Sequence, residues 1–321
     1  MESERMPIKI PNGLPAVDIL AEEGVQVMSE KTALRQDIRP LQIALLNLMP
    51  NKTRTETQFA RLIGATPLQI ELTLVRMSRH ESKNTSAEYL NAFYKRWEAV
   101  SDQKFDGFII TGAPVELLQF EEVGYWGELQ EIFDWTKSSV TSTFAICWGA
   151  QAMLHHCYGI PTYRLENKAF GCYRHQSLDP ASPLLHGFSD DFVVPVSRWT
   201  TVYEADFPAH LNVLVSAEDA GPCLVEDPML RAFFMFNHIE YDTTSLAEEL
   251  RRDGVAKVGV PRNYFPEDDI LRAPQNRWRS HAFLLFSNWI NYVYQATPFE
   301  LNAIGNSERE LTSCGASALS V

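Results

Sequence analysis

Apolar and polar positions along this chain change rhythm about every ten residues. Leu41-Gln-Ile-Ala-Leu-Leu-Asn-Leu-Met49 is a short apolar run that predicts a buried strand, ended by Pro50. Thr53-Arg-Thr-Glu56 has capping-box spacing and predicts a helix to about residue 62. Leu68-Gln-Ile-Glu-Leu-Thr-Leu-Val75 alternates apolar with polar residues, which predicts a second strand. Thr85-Ser-Ala-Glu88 marks another helix start, running to about residue 100. Phe105-Asp-Gly-Phe-Ile-Ile110 predicts a third strand, stopped by Thr-Gly-Ala-Pro114, with a helix over about 126–138. Thr143-Phe-Ala-Ile-Cys147 predicts a fourth strand, and 149–156 the helix after it. The second half has more strand character, at 192–196, 211–216, 222–225 and 231–237. Helices follow over about 244–252, opened by Ser245-Leu-Ala-Glu248, and over 277–291. The apolar positions of that last segment recur at helical spacing, so its tryptophans are assigned to the core.

Strand–helix alternation implies an α/β fold, a doubly wound and mainly parallel sheet with helices on both faces. Such sheets bind ligands outside the carboxyl ends of their strands. That rule singles out Met49–Lys52, Thr111–Glu116 and Cys147–Gly149. Residues 1–40, broken by Pro7, Pro11, Pro15 and Pro40, are expected to be an irregular segment packed on the domain. Residues 41–305 are expected to form one continuous domain, and 306–321 a disordered tail.

Charge and cysteine usage narrow the class. The chain has 321 residues, 28 Lys+Arg against 41 Asp+Glu, a net charge of −13 and five cysteines. No basic run suited to a duplex is present, so no nucleic-acid partner is expected. No apolar stretch is long enough to span a membrane. The first residues, Met1-Glu-Ser-Glu-Arg-Met6, do not read as a secretory signal, and Met6 is an alternative start. An odd cysteine number without a CxxC pair argues against a disulfide framework or a zinc site. These features describe a reduced, cytoplasmic enzyme with no metal, and they raise the question of a nucleophilic thiol.

Cys147 stands where an apolar strand meets a small-residue helix start, Ala-Ile-Cys-Trp-Gly-Ala-Gln. A sharp turn there projects a nucleophile from the sheet edge. Backbone N–H groups, of Trp148 and of Gly112, are candidates for an oxyanion hole. The helix start also favours a thiolate. Cys157, Cys172, Cys223 and Cys314 sit in weaker contexts. A thiol nucleophile needs a base, and the base an orienting acceptor. Phe233-Phe-Met-Phe-Asn-His-Ile-Glu-Tyr-Asp242 supplies both, reading as a strand that ends in His238-Ile-Glu240. Residues two apart on an extended backbone share a side, so His238 and Glu240 are expected to meet. His80, His155, His156, His175, His186, His210 and His281 lack metal-ligand spacing. No Gly-rich phosphate loop is present.

Several motifs in order carry a resemblance: Leu46-Asn-Leu-Met-Pro-Asn-Lys52, Thr111-Gly-Ala-Pro114, Cys147-Trp148, His238-Ile-Glu240-Tyr-Asp242, Asn263-Tyr-Phe-Pro266 and Trp278-Arg-Ser-His281. Together, from about Met6 to Leu301, the chain resembles the homoserine O-acyltransferase family, whose fold is class I glutamine amidotransferase-like and flavodoxin-like. The resemblance implies acyl transfer from an acyl-CoA to the hydroxyl of L-homoserine through an acyl-thioester on Cys147, in methionine biosynthesis. It implies His238 as base and Glu240 as its orienter. It further implies Lys168, Ser197 and Arg252 as substrate-binding residues, Lys52 as a lysine near the acyl site, no resident cofactor, and a homodimer. At Glu116, two residues after Thr-Gly-Ala-Pro, the family places Gly for succinyl transfer and Glu for acetyl transfer. A carboxylate there repels the free carboxylate of a succinyl group, so acetyl-CoA is the expected co-substrate. The chain departs from the family pattern with Ile239 where many members have Pro, and Val196 where many have His.

Homoserine O-acetyl transfer is therefore the leading expectation. The alternatives are succinyl transfer or a serine acceptor on the same scaffold, a glutamine amidotransferase, and a non-catalytic binding module.

Overall fold

A computed structural model describes residues 8–9, 13–22, 27–28, 39–80, 82 and 84–305. The expected tail 306–321, the choice between Met1 and Met6, and Cys314 lie outside the described residues. In chain order come β1 (Ile8–Lys9), α1 (Ala16–Glu22), β2 (Val27–Met28), β3 (Leu41–Leu46), α2 (Lys52–Ile63) and β4 (Ile70–Arg76). Next are α3 (Ala87–Phe93), β5 (Lys95–Arg96), β6 (Phe105–Ile110), α4 (Trp126–Ser139), β7 (Val140–Ile146) and α5 (Trp148–Tyr158). The second half contains β8 (Tyr163–Ser177), β9 (Asp191–Thr201), β10 (Asn212–Ala217), β11 (Gly221–Asp227) and β12 (Ala232–Met235). It closes with α6 (Ser245–Asp253), α7 (Val255–Val258) and α8 (Arg279–Ala296).

These strands form one twelve-stranded sheet in the order β2-β1-β4-β3-β6-β7-β12-β11-β10-β8-β9, with β5 beside β4. Pairing is parallel from β2 to β12. It is antiparallel from β12 to β9. Alternate residues of each central strand feed two cores, as the period of two requires. Ile43, Leu45 and Phe144 face one core, with Phe59, Phe286 and Trp289 of α2 and α8. Ala44, Leu46 and Ala145 face the other, with Leu129 and Phe133 of α4 and Met153 of α5. The last helix is a core helix, as its spacing implies: Trp289 is fully buried and donates its indole N–H to Ser142 Oγ at 3.0 Å.

The sequence pattern misplaces several boundaries. Residues 1–40 are not wholly irregular, because α1 folds there and buries Leu20. Helix α2 is capped by Asn51, which accepts from the Arg54 N–H, two residues earlier than Thr53 implies. Glu56 is fully buried and accepts from the Tyr89 and Tyr94 hydroxyls instead of capping. Helix α3 starts after Ser86 and stops at Phe93, because Tyr94 turns extended and leads into β5. The longest strand, β8, was not expected from the sequence. Its first half, rich in Arg164, Glu166, Asn167 and Lys168, is largely exposed and pairs only with β9, so it carries no apolar rhythm.

Replacing Trp289 with Ala should cost about 3–5 kcal/mol of unfolding free energy, because a fully buried indole leaves a cavity. Leu271, 90% exposed, should change it by less than about 0.5 kcal/mol on replacement by Ala. Denaturant titration of both variants measures the difference.

Candidate active site

Strand β7 ends at Ile146, and α5 begins at Trp148, so Cys147 carries the whole turn. Its backbone sits at φ 50°, ψ −120°, a strained conformation for a residue with a Cβ. Hydrogen bonds hold it there: the Cys147 N–H donates to Met235 O at 2.7 Å, and Cys147 O accepts from Ala150 N–H at 3.1 Å. Two glycines make room. A Cβ on Gly149 would fall 2.5 Å from Thr111 O, and one on Gly112 3.1 Å from Cys147 Cβ. The first turn of α5 leaves the Trp148 N–H without an intrahelical acceptor and places the positive helix end at the sulfur. Gly112 packs directly against Cys147, so both expected oxyanion-hole residues flank the thiol. Burial pushes the other described thiols up, Cys157 to about 11 and Cys172 and Cys223 to about 12. Those three remain protonated at neutral pH.

His238 and Glu240 do meet, with Nδ1 to Oε1 at 2.7 Å. The reason differs from the sequence argument. Strand β12 stops at Met235, and both residues lie in the turn beyond it. The His238 N–H donates to Pro195 O at 2.9 Å, which pins this turn to β9. Both side chains are buried. Burial opposes the charged imidazole, but the Cys147 sulfur and the Glu240 carboxylate together outweigh it. They hold His238 well above its usual pKa, and its ring also hydrogen-bonds Cys147. The Tyr241 ring stacks on the imidazole at 4.2 Å with 17° between planes.

Two of the three expected substrate residues, Lys168 and Ser197, converge on a carboxylate that the sequence did not single out. Glu249 of α6 accepts from Lys168 Nζ at 3.1 Å, from Ser197 Oγ, and from Tyr241 OH at 2.6 Å. Burial alone would raise the Glu249 pKa, but Lys168, Ser197 and Tyr241 hold it below the usual range. Lys168 is not a solvated surface charge: its side chain is 4% exposed and lies over the Phe170 ring. Glu116 is half-buried, and the charges that act on it include Lys168, His238 and Glu249. Burial raises its pKa. Arg252 stands apart, largely exposed and paired with Asp253 at 2.8 and 2.9 Å. It lines the mouth of a 760 Å³ cleft together with Lys52, Tyr241 and Glu249. Lys52 is buried and donates to Asn47 O; burial pulls it down to about 8.

Beneath the turn lies a buried polar chain that sequence reading also missed. Arg198 Nη1 donates to Asn237 Oδ1 at 2.5 Å, and Asn237 Nδ2 donates to His175 Nε2 at 2.9 Å. His175 Nδ1 in turn donates to Tyr173 O at 2.9 Å. Burial pulls His175 down to about 4, which keeps it neutral, and the Tyr173 O acceptor fixes this tautomer. Only the adjacency of Asn237 to His238 hinted at its role. Glu249 looked like an ordinary polar residue on an amphipathic helix. Among the described residues no cluster of His, Cys, Asp and Glu is able to hold a metal ion. No described helix is long and apolar enough to cross a membrane.

A cysteine sits on a strand–helix elbow, with a His–Glu pair in the turn beyond the neighbouring strand, on a class I glutamine amidotransferase-like fold. The fold is shared with a glutamine amidotransferase from Thermotoga maritima, at TM-score 0.51 and 14% identity over 80% of this chain and 99% of that one. A glutamine amidotransferase from Methylobacillus flagellatus matches equally, at TM-score 0.51 and 14% identity over 79% and 95%. Residues 7–299 match the family model described as homoserine O-succinyltransferase, and the chain belongs to this family. Relatives named homoserine O-acetyltransferase include one from Hyphomonas neptunium, 61% identical over 94% of this chain and 100% of that protein. Another, from Ruegeria pomeroyi, is 57% identical over 95% and 99%.

The buried neutral His175 makes stability pH-dependent. Its folded pKa of about 4 lies below the ordinary histidine value of about 6.5. The unfolded chain therefore takes the proton first, and stability is lost as pH falls from about 6.5 towards 4. The loss should approach about 3 kcal/mol at the lower end. Urea unfolding at several pH values should show this slope, and His175→Gln should flatten it.

Proposed function

We propose that this chain is a homoserine O-acetyltransferase working through an acetyl-thioester on Cys147. The observation that carries the mechanism is the strained Cys147 elbow set against the buried His238–Glu240 pair. In the first half-reaction the Cys147 thiolate attacks the carbonyl carbon of acetyl-CoA. The oxyanion is held by the Trp148 and Gly112 N–H groups. The intermediate collapses, the bond to the CoA sulfur breaks, and His238 supplies the proton that leaves with CoA. In the second half-reaction His238 takes the proton from the homoserine hydroxyl. That oxygen attacks the thioester, and O-acetylhomoserine leaves as the thiolate returns. Glu240 keeps the imidazole in the tautomer with its proton on Nδ1.

Lys168 and Ser197, gathered by Glu249, form the polar wall for the amino acid, and Arg252 meets its carboxylate at the cleft mouth. No resident cofactor is needed, because acetyl-CoA brings the activated group. The enzyme works in the cytoplasm, and a homodimer is what the family resemblance implies.

The names of the matches differ in the acyl group, and Glu116 favours acetyl. It shares its surroundings with the carboxylate of Glu249. A succinyl carboxylate would add another negative charge in a partly desolvated space, whereas an acetyl group adds none.

Two measurements test this reading. Mass spectrometry after mixing with acetyl-CoA alone should show one acetyl group on Cys147, and Cys147→Ser should lower turnover by roughly 10³-fold or more while the chain stays folded. Absence of the adduct refutes the covalent route, and ammonia release from glutamine would replace it with amidotransfer. Glu116→Gly should raise the ratio of succinyl-CoA to acetyl-CoA activity by roughly tenfold or more. An unchanged ratio removes Glu116 from the account of acyl choice.

A further inference from the structure

The carboxyl ends of β4, β3, β6 and β7 stand in a row across the sheet. Cys147 follows the last of these strands, and Arg76 ends the first. A second cavity, of 240 Å³, opens along this row and shares Met49, Pro50, Lys52 and Asn84 with the larger cleft. Leu48, Met77 and Val115 give it an apolar wall. Its charged lining is Lys52 and Arg76, with His80 beside them and no carboxylate among the lining residues. That is a marked local reversal in a chain with 41 acids and 28 Lys+Arg.

Strand β5 adds more positive charge. Its parallel pairing with β4 puts Arg96 opposite Arg76 and Lys95 opposite Val75. Like charges in register across neighbouring strands destabilise a sheet. The fold does not neutralise them. Arg76 donates to Asn91 Oδ1 at 3.1 Å, and its Nε is buried without a partner. Among the described residues, Arg76, Lys95 and Arg96 form no ion pair. An anionic ligand would supply the missing counter-charge.

We propose that this cavity holds the nucleotide arm of the acyl-CoA: the pantetheine lies along the apolar wall and the phosphates sit at Arg76 and Arg96. The inference rests on the acetyl-CoA reading above and adds where the carrier lies. From β4 to β7 there are three sheet spacings, about 14 Å, and from β5 four, about 19 Å. These distances are within the reach of an extended pantetheine arm, so phosphates held at β4 and β5 leave the thioester at Cys147. The amino-acid residues come from β8, β9 and α6. Free CoA can then leave along its own arm while the acetyl group waits on the cysteine.

The test compares two thioesters that differ only in the nucleotide: acetyl-CoA and S-acetyl-pantetheine, which has no phosphate. Wild type, Arg76→Ala, Arg96→Ala and the double variant are assayed with homoserine. In the double variant KM for acetyl-CoA should rise by roughly tenfold or more, and its salt dependence should weaken. KM for homoserine and the kinetics on S-acetyl-pantetheine should stay within about twofold. Retained turnover of S-acetyl-pantetheine also shows that the variants fold, and Arg96, an exposed residue, gives an independent single variant. An equal loss on both thioesters, or no loss on either, overturns the phosphate assignment. A wild-type chain that turns over neither thioester overturns the acetyl-CoA reading itself, and this inference with it.

Discussion

One hydrogen bond joins the two halves of the chemistry: the Cys147 N–H donates to Met235 O at 2.7 Å. It ties the end of β7 to the end of β12, the neighbouring parallel strand. Cys147 follows the first strand, and His238 lies beyond the end of the second. The bond also fixes the cysteine in a backbone conformation that it would not choose alone, φ 50°. That strain is offset by a buried parallel ladder and by Gly112 and Gly149, which leave space for the turn. Strain of this kind persists only where the surroundings over-determine it, and here both faces of the sheet are packed.

Electrostatics in the site run against the balance of the whole chain. A net charge of −13 says nothing about how charge is arranged around the thiol. At Cys147 the positive end of α5 and the raised His238 beside the sulfur favour negative charge. The carboxylates of Glu249 and Glu116 add negative charge to the same surroundings. Glu249 is the most connected of these groups. It holds Lys168, Ser197 and Tyr241 together, and Tyr241 covers the imidazole. A buried carboxylate with three donors is stable only as a complete set, because removing one partner leaves a charge without compensation. The placement of Lys168 and Ser197 and of the ring over the imidazole is therefore coupled through one residue.

The turn that carries His238 and Glu240 is supported in the same way. Asn237 is occupied on both sides, by Arg198 and by His175, and this chain runs through the interior beneath the site. Such networks rigidify a segment that lacks regular secondary structure. This explains why Ile239 serves between the base and its orienter where a proline would stiffen the backbone. Ile239 is buried in the core, and the His238 N–H is held by Pro195 O. Packing and hydrogen bonds hold the turn without the fixed φ of a proline.

Periodicity was enough to read β3, β4, β6, β7, α4, α5 and α8, because strand and helix rhythms are local properties of the chain. The elbow at Cys147 and the meeting of His238 with Glu240 were legible for the same kind of reason: an apolar strand running into Cys147-Trp-Gly, and a His and Glu two positions apart. The N-caps at Asn51 and Ser86, the polar half of β8 and the extended Tyr94 were not legible. Each is settled by competition among several local options, and the winner is chosen by packing. Glu56 could have closed a capping box, but two tyrosine hydroxyls from α3 and the residue after it claim it in the interior. Lys168 and Glu249 lie 81 positions apart, and no spacing rule connects them. Their pairing exists because β8, β9 and α6 bring them out of water together. A charge that reads as surface in the linear chain then becomes half of a buried pair. Local order follows from backbone geometry and side-chain rhythm, whereas the partners of buried charges depend on which distant segments share a low-dielectric space.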